Sequence, residues 1–256
     1  MNSQTDPRTP FVFGIIALGV VLLGGIVWAV AFAPADAGDR GRTDVNVSFR
    51  DENDPSLGPV DSQNVLRIFG DFQCPACKAA EAGMNHVRRT YASQLKIVWD
   101  DFPLSSIHRN ARAAANAARC AEEQGKFWEM HDALYDFQTS WSDKADPSDE
   151  FKVLANRIQL DVQSFTACYN ERTYDAKVTA DVQEGNANRV DSTPTFFLNN
   201  RKIVGVLSPA EWDREIKALL GPLADISPAA ASPASSMESA SDTVSTPVPI
   251  PATSTP

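Results

Sequence analysis

Two cysteines three positions apart, Cys74-Pro75-Ala76-Cys77, are the residues of this chain whose type and spacing point most directly to chemistry. The apolar stretch Val65 to Phe72 precedes them and reads as a short buried strand, and an amphipathic helical run from Pro75 to Tyr91 follows. Proline is tolerated in a first helical turn, where its missing N–H costs nothing. Cys74 then falls near the N-cap and Cys77 about one turn further on, on the same face. Unpaired N–H groups and the positive end of the helix dipole point at the Cys74 sulfur and favour thiolate over thiol. Cys74 is therefore a candidate nucleophile, and Cys77 lies within reach to close a disulfide with it. A zinc knuckle would need a second CxxC or an HxxxH, and neither occurs; haem attachment would need histidine where Lys78 stands. Redox chemistry is the expected use, with no metal and no organic cofactor.

Such a pair needs a strand to deliver it and a helix to activate it, and residues 63–221 supply both. Lys96 to Phe102 reads as a second strand. Arg109 to Glu123 is alanine-rich and helical, with Gly125 as its stop. Further helices are expected over Phe127 to Phe137, Pro147 to Gln159, Val162 to Tyr169 and Thr173 to Asn188. Thr195 to Leu198 and Lys202 to Leu207 read as strands joined by a tight hairpin at Asn199-Asn200. Ser208-Pro209-Ala210-Glu211 is a capping-box start for a last helix ending near Gly221. The order β, α, β, several helices, β, β, α predicts an α/β fold: a small mixed sheet with an all-helical insertion at about 105–190.

The flanks differ in composition. After a short tail, residues 1–10, the 23 residues from Phe11 to Ala33 carry no charge. As a helix they would span roughly 35 Å, enough for a bilayer core. An uncleaved transmembrane anchor is expected, with a cleaved signal peptide and a secreted product as the alternative. Lys and Arg counts near this run place the C-terminal side inside the cell. Against that, long domains translocate regardless of charge and four cysteines suit an oxidising compartment, so the domain is expected outside the membrane. Residues 34–62 read as a flexible polar tether, and residues 222–256, rich in Ser, Ala, Pro and Thr, as a disordered tail. The net charge of −10, with no basic stripe, argues against nucleic-acid binding.

The segment Phe69-Gly70-Asp71-Phe72-Gln73-Cys74-Pro75-Ala76-Cys77-Lys78 resembles the active-site motif of DsbA-like thiol–disulfide oxidoreductases of the thioredoxin superfamily. Gln124 to Leu134 is similar to that family's helical-insertion motif, and Ser192 to Phe197 to its cis-proline loop. The resemblance covers Asn64 to Leu220. It implies a thioredoxin fold with an inserted helical domain, an attacking Cys74, a resolving Cys77, and a substrate-pairing loop at Thr193 and cis Pro194. Its implied partners are reduced or misoxidised substrate proteins and a membrane redox protein, quinone-linked in the family, that recycles the dithiol. Ala76 stands where strongly oxidising members carry histidine, which implies a weaker oxidant and leaves a disulfide reductase or isomerase as an alternative. A tethered peptide-binding or chaperone domain without catalysis is the non-enzymatic alternative.

The other candidates carry less. Cys120 and Cys168 are either two buried thiols or, in an oxidising compartment, a structural disulfide like the second bridge of some DsbA-like relatives. Asp71, three positions before Cys74, either tunes its pKa or relays protons, or is an exposed or capping aspartate. His86, His108 and His131 read as surface or packing residues, and Glu81 as part of a solvated helix face.

Overall fold

The computed structural model describes residues 42–50 and 54–221. The expected anchor at 11–33 and the tails at 1–10 and 222–256 lie outside the described residues. Among the described residues no helix is long and apolar enough to cross a membrane.

A six-stranded sheet, β1 (Arg42–Asp44), β2 (Ser56–Leu57), β3 (Val65–Gly70), β4 (Lys96–Asp101), β5 (Thr195–Leu198) and β6 (Arg201–Val204), runs in the order β1-β6-β5-β3-β4-β2. Only β3 and β4 pair in parallel, in register Leu66 with Ile97, and α1 (Pro75–Tyr91) connects them. Five helices and one short turn follow β4 before the chain returns to β5: α2 (Ala111–Glu122), α3 (Phe127–Asp136), α4 (Gln138–Trp141), α5 (Ser148–Arg157), α6 (Val162–Glu171) and α7 (Asp175–Ala187). Helix α8 (Pro209–Leu220) closes the domain.

Strand alternation divides the core in two. Leu66, Ile68, Ile97, Trp99, Phe196 and Leu198 enter the main core with Cys77, Ala80, Met84, Val87 and Tyr91 of α1. Those α1 positions recur at helical spacing, which is why the run forms an amphipathic helix. Gly83 lets α1 approach α8 and the residue that leads into it, since a Cβ there would lie 2.8 Å from the Trp212 ring and 2.4 Å from the Leu207 carbonyl oxygen. Phe69 and Phe197 point to the opposite face, where they meet Phe102 and Val190. That face also buries Arg67 and Asp100, paired at 2.7 Å. Beside it Arg119 reaches Asp101 at 2.7 Å and Asp181 at 2.8 Å.

Cys120 of α2 and Cys168 of α6 are joined by a disulfide, with Cα atoms 5.8 Å apart. It ties two helices of the insertion whose remaining contacts are packing and single hydrogen bonds, such as Asn116 Nδ2 to the Tyr169 carbonyl at 3.1 Å.

One expectation is corrected. Much of the segment expected to be a tether, 34–62, belongs to the folded domain. Arg42–Asp44 forms β1 against β6, and Ser56–Leu57 forms β2 against β4. Val45, Val47 and Phe49 pack on the second core, and the Phe49 ring lies 5.1 Å from that of Phe197. Asp54 meets Arg67 at 3.3 Å and also pairs with Lys177. Polar composition masked an alternating apolar pattern of period two.

Smaller differences have local causes. Strand β6 stops at Val204, not Leu207, because Gly205 adopts φ +92. Pro147 caps α5 from outside instead of occupying its first turn. The hairpin turns at Asn199-Asn200, where Asn199 takes φ +50 and its side-chain oxygen accepts the Val65 N–H at 2.7 Å. At α8 the Ser208–Glu211 capping box forms as its sequence predicts.

Candidate active site

Strand β3 ends at Gly70, where a Cβ would sit 2.1 Å from the Trp99 ring. Glycine therefore lets the chain pass that ring and turn into Asp71. Phe72 fills the space beyond, stacked on Trp99 at 4.8 Å. Four residues after β3 the chain reaches Cys74 as the N-cap of α1, in extended conformation with Pro75 next.

The insertion holds this approach from the other side. The Gln138 side-chain amide donates to the carbonyls of Phe72 at 2.8 Å and Cys74 at 3.2 Å. Gln73 donates to the Ser142 carbonyl at 2.8 Å, and its own side-chain oxygen accepts the Asn110 N–H at 2.7 Å. The Tyr135 hydroxyl donates to the Asp71 carbonyl at 3.3 Å. These bonds satisfy main-chain groups that a buried turn would otherwise leave unpaired. They also make the cysteine turn a shared element of sheet and insertion.

Cys74 and Cys77 are both unpaired thiols here, and both are buried. The Cys74 sulfur donates to the Thr193 carbonyl at 3.5 Å. The Thr193–Pro194 peptide bond is cis, and the Pro194 carbonyl accepts the Gly205 N–H at 2.9 Å. The structure thus brings together Cys74, Cys77, Thr193 and Pro194, from segments more than a hundred residues apart.

The two sulfurs are electrostatically unlike. The Cys74 thiol is lowered from its ordinary 9.0 to about 5. A hydrogen bond from the Cys77 thiol is the largest cause, and burial opposes it. The buried Thr193 hydroxyl and the main-chain N–H groups of Cys77 and Ala76 add to the lowering. Cys77 is pushed well above the ordinary thiol range, by burial first and then by its bond and charge interaction with Cys74. One sulfur is thereby favoured as a thiolate and the other as a protonated thiol behind it.

Asp71, Gln73, Tyr135 and Gln138 hold the main chain of the cysteine turn, and His108 joins them through Asp71 at 2.7 Å. Sequence reasoning missed Gln73, Tyr135 and Gln138, and it assigned His108 to surface or packing. The only signal for His108 is its position in the loop after β4, the strand that pairs with β3. His131 is a packing residue, set edge-on to Trp99 at 4.8 Å, and His86 meets Asp213 at 2.7 Å near the far end of α1. Glu81 is half-buried and pairs with Arg88 at 2.9 Å, so it is not simply solvated. Among the described residues, two sets of groups lie close enough together to share an ion, Glu81–His131–Asp132 and the all-carboxylate Asp54–Asp100–Asp181. Each is served by cationic side chains, Arg88 in the first and Arg67 with Lys177 in the second.

A family model described as Thioredoxin matches residues 50–218. The Na(+)/H(+) antiporter NhaA 3 of Salinispora tropica is 34% identical over 163 residues, 64% of this chain and 24% of that protein. The chain thus spans about a quarter of the length of the curated relatives it matches. Among solved structures, oxidised BdbD from Bacillus subtilis superposes with a TM-score of 0.62 at 20% identity, over 70% of this chain and 99% of that one. The thiol-disulfide exchange protein α-DsbA2 from Wolbachia pipientis gives a TM-score of 0.56 at 18% identity, over 66% and 88%. The chain belongs to the thioredoxin family, and its fold is that of the DsbA-type proteins, helical insertion included.

Proposed function

We propose that this chain is a thiol–disulfide oxidoreductase that introduces disulfides into other proteins through Cys74 and Cys77. The observation that carries the reading is the contrast between a Cys74 thiol lowered to about 5 and a Cys77 thiol raised by burial. The exchange activity named for the Wolbachia protein of the same fold points the same way.

The cycle starts from a Cys74–Cys77 disulfide. A substrate thiolate attacks the Cys74 sulfur, a new S–S bond forms, and the Cys74–Cys77 bond breaks. The electron pair leaves on Cys77, which takes up a proton. A second substrate thiolate then attacks the substrate sulfur of the mixed disulfide and releases Cys74 as a thiolate. Two electrons have moved from substrate to protein, and the substrate carries a new disulfide. A thiolate stabilised like Cys74 is a good leaving group, and its stability favours the reduced protein, which makes the couple oxidising. The Thr193 carbonyl and the Pro194 loop lie beside the sulfur, where an extended substrate backbone would pair. Returning the dithiol to the disulfide requires an oxidant; a quinone-linked membrane protein is the partner class we propose.

The domain would act outside the cytoplasmic membrane, tethered by residues 11–33. The Cys120–Cys168 bridge supports an oxidising compartment, and the uncharged apolar run supports an anchor. A reductase or isomerase is the second reading, favoured by Ala76 in place of a histidine that would stabilise Cys74 further.

The deciding measurement is the reduction potential of the Cys74–Cys77 couple against glutathione. A thiol near 5 lies between thioredoxin at about 7 and DsbA at about 3.5, so a potential between about −120 and −200 mV is expected. A value at or below about −270 mV would replace the oxidase reading with the reductase one.

A further inference from the structure

Asp71 links the cysteine turn to the loop after β4, and every polar group it has is used in doing so. Its main-chain N–H faces the Cys77 sulfur. Its carbonyl accepts the Cys74 N–H at 3.0 Å and the Tyr135 hydroxyl at 3.3 Å. One carboxylate oxygen accepts the Gln73 N–H at 2.7 Å; the other accepts the Leu104 N–H at 2.9 Å and meets His108 Nδ1 at 2.7 Å. The carboxylate is fully buried, whereas the imidazole is 15% exposed. Two of the three groups on this carboxylate are main-chain N–H groups, and His108 is the side chain that completes the set.

We propose that His108 is a positioning residue for thiol–disulfide exchange: by donating Nδ1–H to Asp71, it fixes the turn whose main chain contacts both cysteines and keeps Cys74 in its reactive form. The inference rests on the reading of Cys74 as the attacking sulfur.

The neighbourhood leaves this role to His108. The titratable groups facing the pair are Tyr135 from α3 and Cys74 and Cys77 from α1. The next residue, Arg109, turns away to the carbonyls of Asp143 at 2.9 Å and Lys144 at 2.6 Å. Among the described residues no lysine or arginine pairs with Asp71. Without His108 the buried carboxylate would keep two donors and gain an unsatisfied oxygen lone pair in a low-dielectric site. It would relieve that deficit by shifting, and the Gln73 and Cys74 amides would shift with it. The carboxylate's charge would also be less compensated near the sulfurs. Both changes oppose the Cys74 thiolate.

The test uses the reduced full-length chain as wild type, His108→Ala and His108→Asn. Asparagine keeps an N–H donor close to the Nδ1 position. The Cys74 thiolate is titrated by its ultraviolet absorbance, and its alkylation rate is measured at pH 5. For His108→Ala the midpoint should rise by about one pH unit, which cuts the thiolate fraction, and so the alkylation rate at pH 5, by about fivefold. His108→Asn should recover at least half of that shift. If His108→Ala does not fold, His108→Leu, which keeps bulk and lacks the donor, takes its place. An unchanged midpoint in the donor-less variant, with wild type near 5, overturns the role of His108. Equal shifts in the donor-less variant and His108→Asn overturn the hydrogen-bond basis and with it the proposal. A wild-type midpoint near the free-thiol value overturns the reading of Cys74 itself, a separate failure visible before any variant is made.

Discussion

If Cys74 is a thiolate at neutral pH, the folded reduced protein must gain stability from it in a pH-dependent way. Its thiol stands near 5 when folded and at 9.0 when unperturbed. For a group with a lowered folded pKa, the stabilisation is complete above 9.0 and disappears as pH falls through 5. Between those limits the unfolded chain binds the extra proton, so stability rises with pH by up to about 1.4 kcal/mol per unit. Integrated from pH 5.5 to 7.5 this amounts to about 2.5 kcal/mol; screening at the mouth of the site trims it to about 2 kcal/mol. For a domain of this size that corresponds to about 5 °C in Tm. The oxidised protein has no thiol at Cys74 and lacks the contribution. Closing the Cys74–Cys77 loop adds a term to the oxidised form, but that term is independent of pH. The observable is therefore the slope: the Tm of the reduced form minus that of the oxidised form should climb by about 5 °C between pH 5.5 and 7.5. Thermal melts of both forms across that range measure it: Cys77, the other thiol that the oxidised form lacks, is pushed above the ordinary thiol range and does not titrate there, and the remaining titrating groups are common to both. A flat difference, or an equal slope in reduced Cys74→Ser, would refute the assignment of the low pKa to this sulfur.

The disulfide and the N-terminal arm yield two further expectations. Cys120 and Cys168 are 48 residues apart, so replacing both by alanine should cost about 4 kcal/mol in the chain-entropy picture, read as a lower urea midpoint with an active Cys74; a loss below about 1 kcal/mol would show that packing alone holds α2 to α6. Phe49→Ala removes a ring that meets Phe69, Phe197 and the Arg67 guanidinium and should cost about 2–4 kcal/mol, whereas a flexible tether would lose nothing measurable in the same denaturation curve.

What was legible in the sequence was legible because its signals are local. The capping box at Ser208, the Asn199-Asn200 turn and the apolar spacing of α1 each lie within one element, and each appears where its residues indicate. The arm at 42–50 has no such local signal. Val45, Val47 and Phe49 alternate with Asn46, Ser48 and Arg50 over only six residues, among Asp, Gly and Pro, and β1 has three residues. A strand that short is formed by its pairing with β6 and by the core it covers, not by its own propensity. The buried ion network is hidden for a related reason. Arg67 and Asp100 each interrupt an apolar strand and look like solvent-facing positions of a half-buried sheet. They become interior only because Phe49, Asp54 and α7 cover that face.

The site divides along the same line. Cys74 and Cys77 sit in one turn, so the strand–CxxC–helix order was enough to place them and to argue for a lowered thiol at the helix start. The structure assigns the largest part of that lowering to the Cys77 thiol, with main-chain N–H groups behind it and the Thr193 hydroxyl between. A helix-terminus argument alone therefore pointed to the sulfur with the lowered pKa through a secondary cause. Thr193 and Pro194 could be linked to it only through a family resemblance, because no local pattern ties a loop before β5 to a helix after β3. His108 had neither aid. It is one histidine in a loop, and its significance arises when β3 and β4 pair in parallel and bring the segments that follow both strands to the same end of the sheet. There the Phe102 N–H donates to the Gly70 carbonyl at 2.8 Å and the Leu104 N–H to Asp71 at 2.9 Å. In an open sheet, the residues just past the carboxyl ends of adjacent parallel strands face one crevice. A polar residue shortly after β4 therefore merits the same scrutiny as one shortly after β3, whatever separates them in sequence.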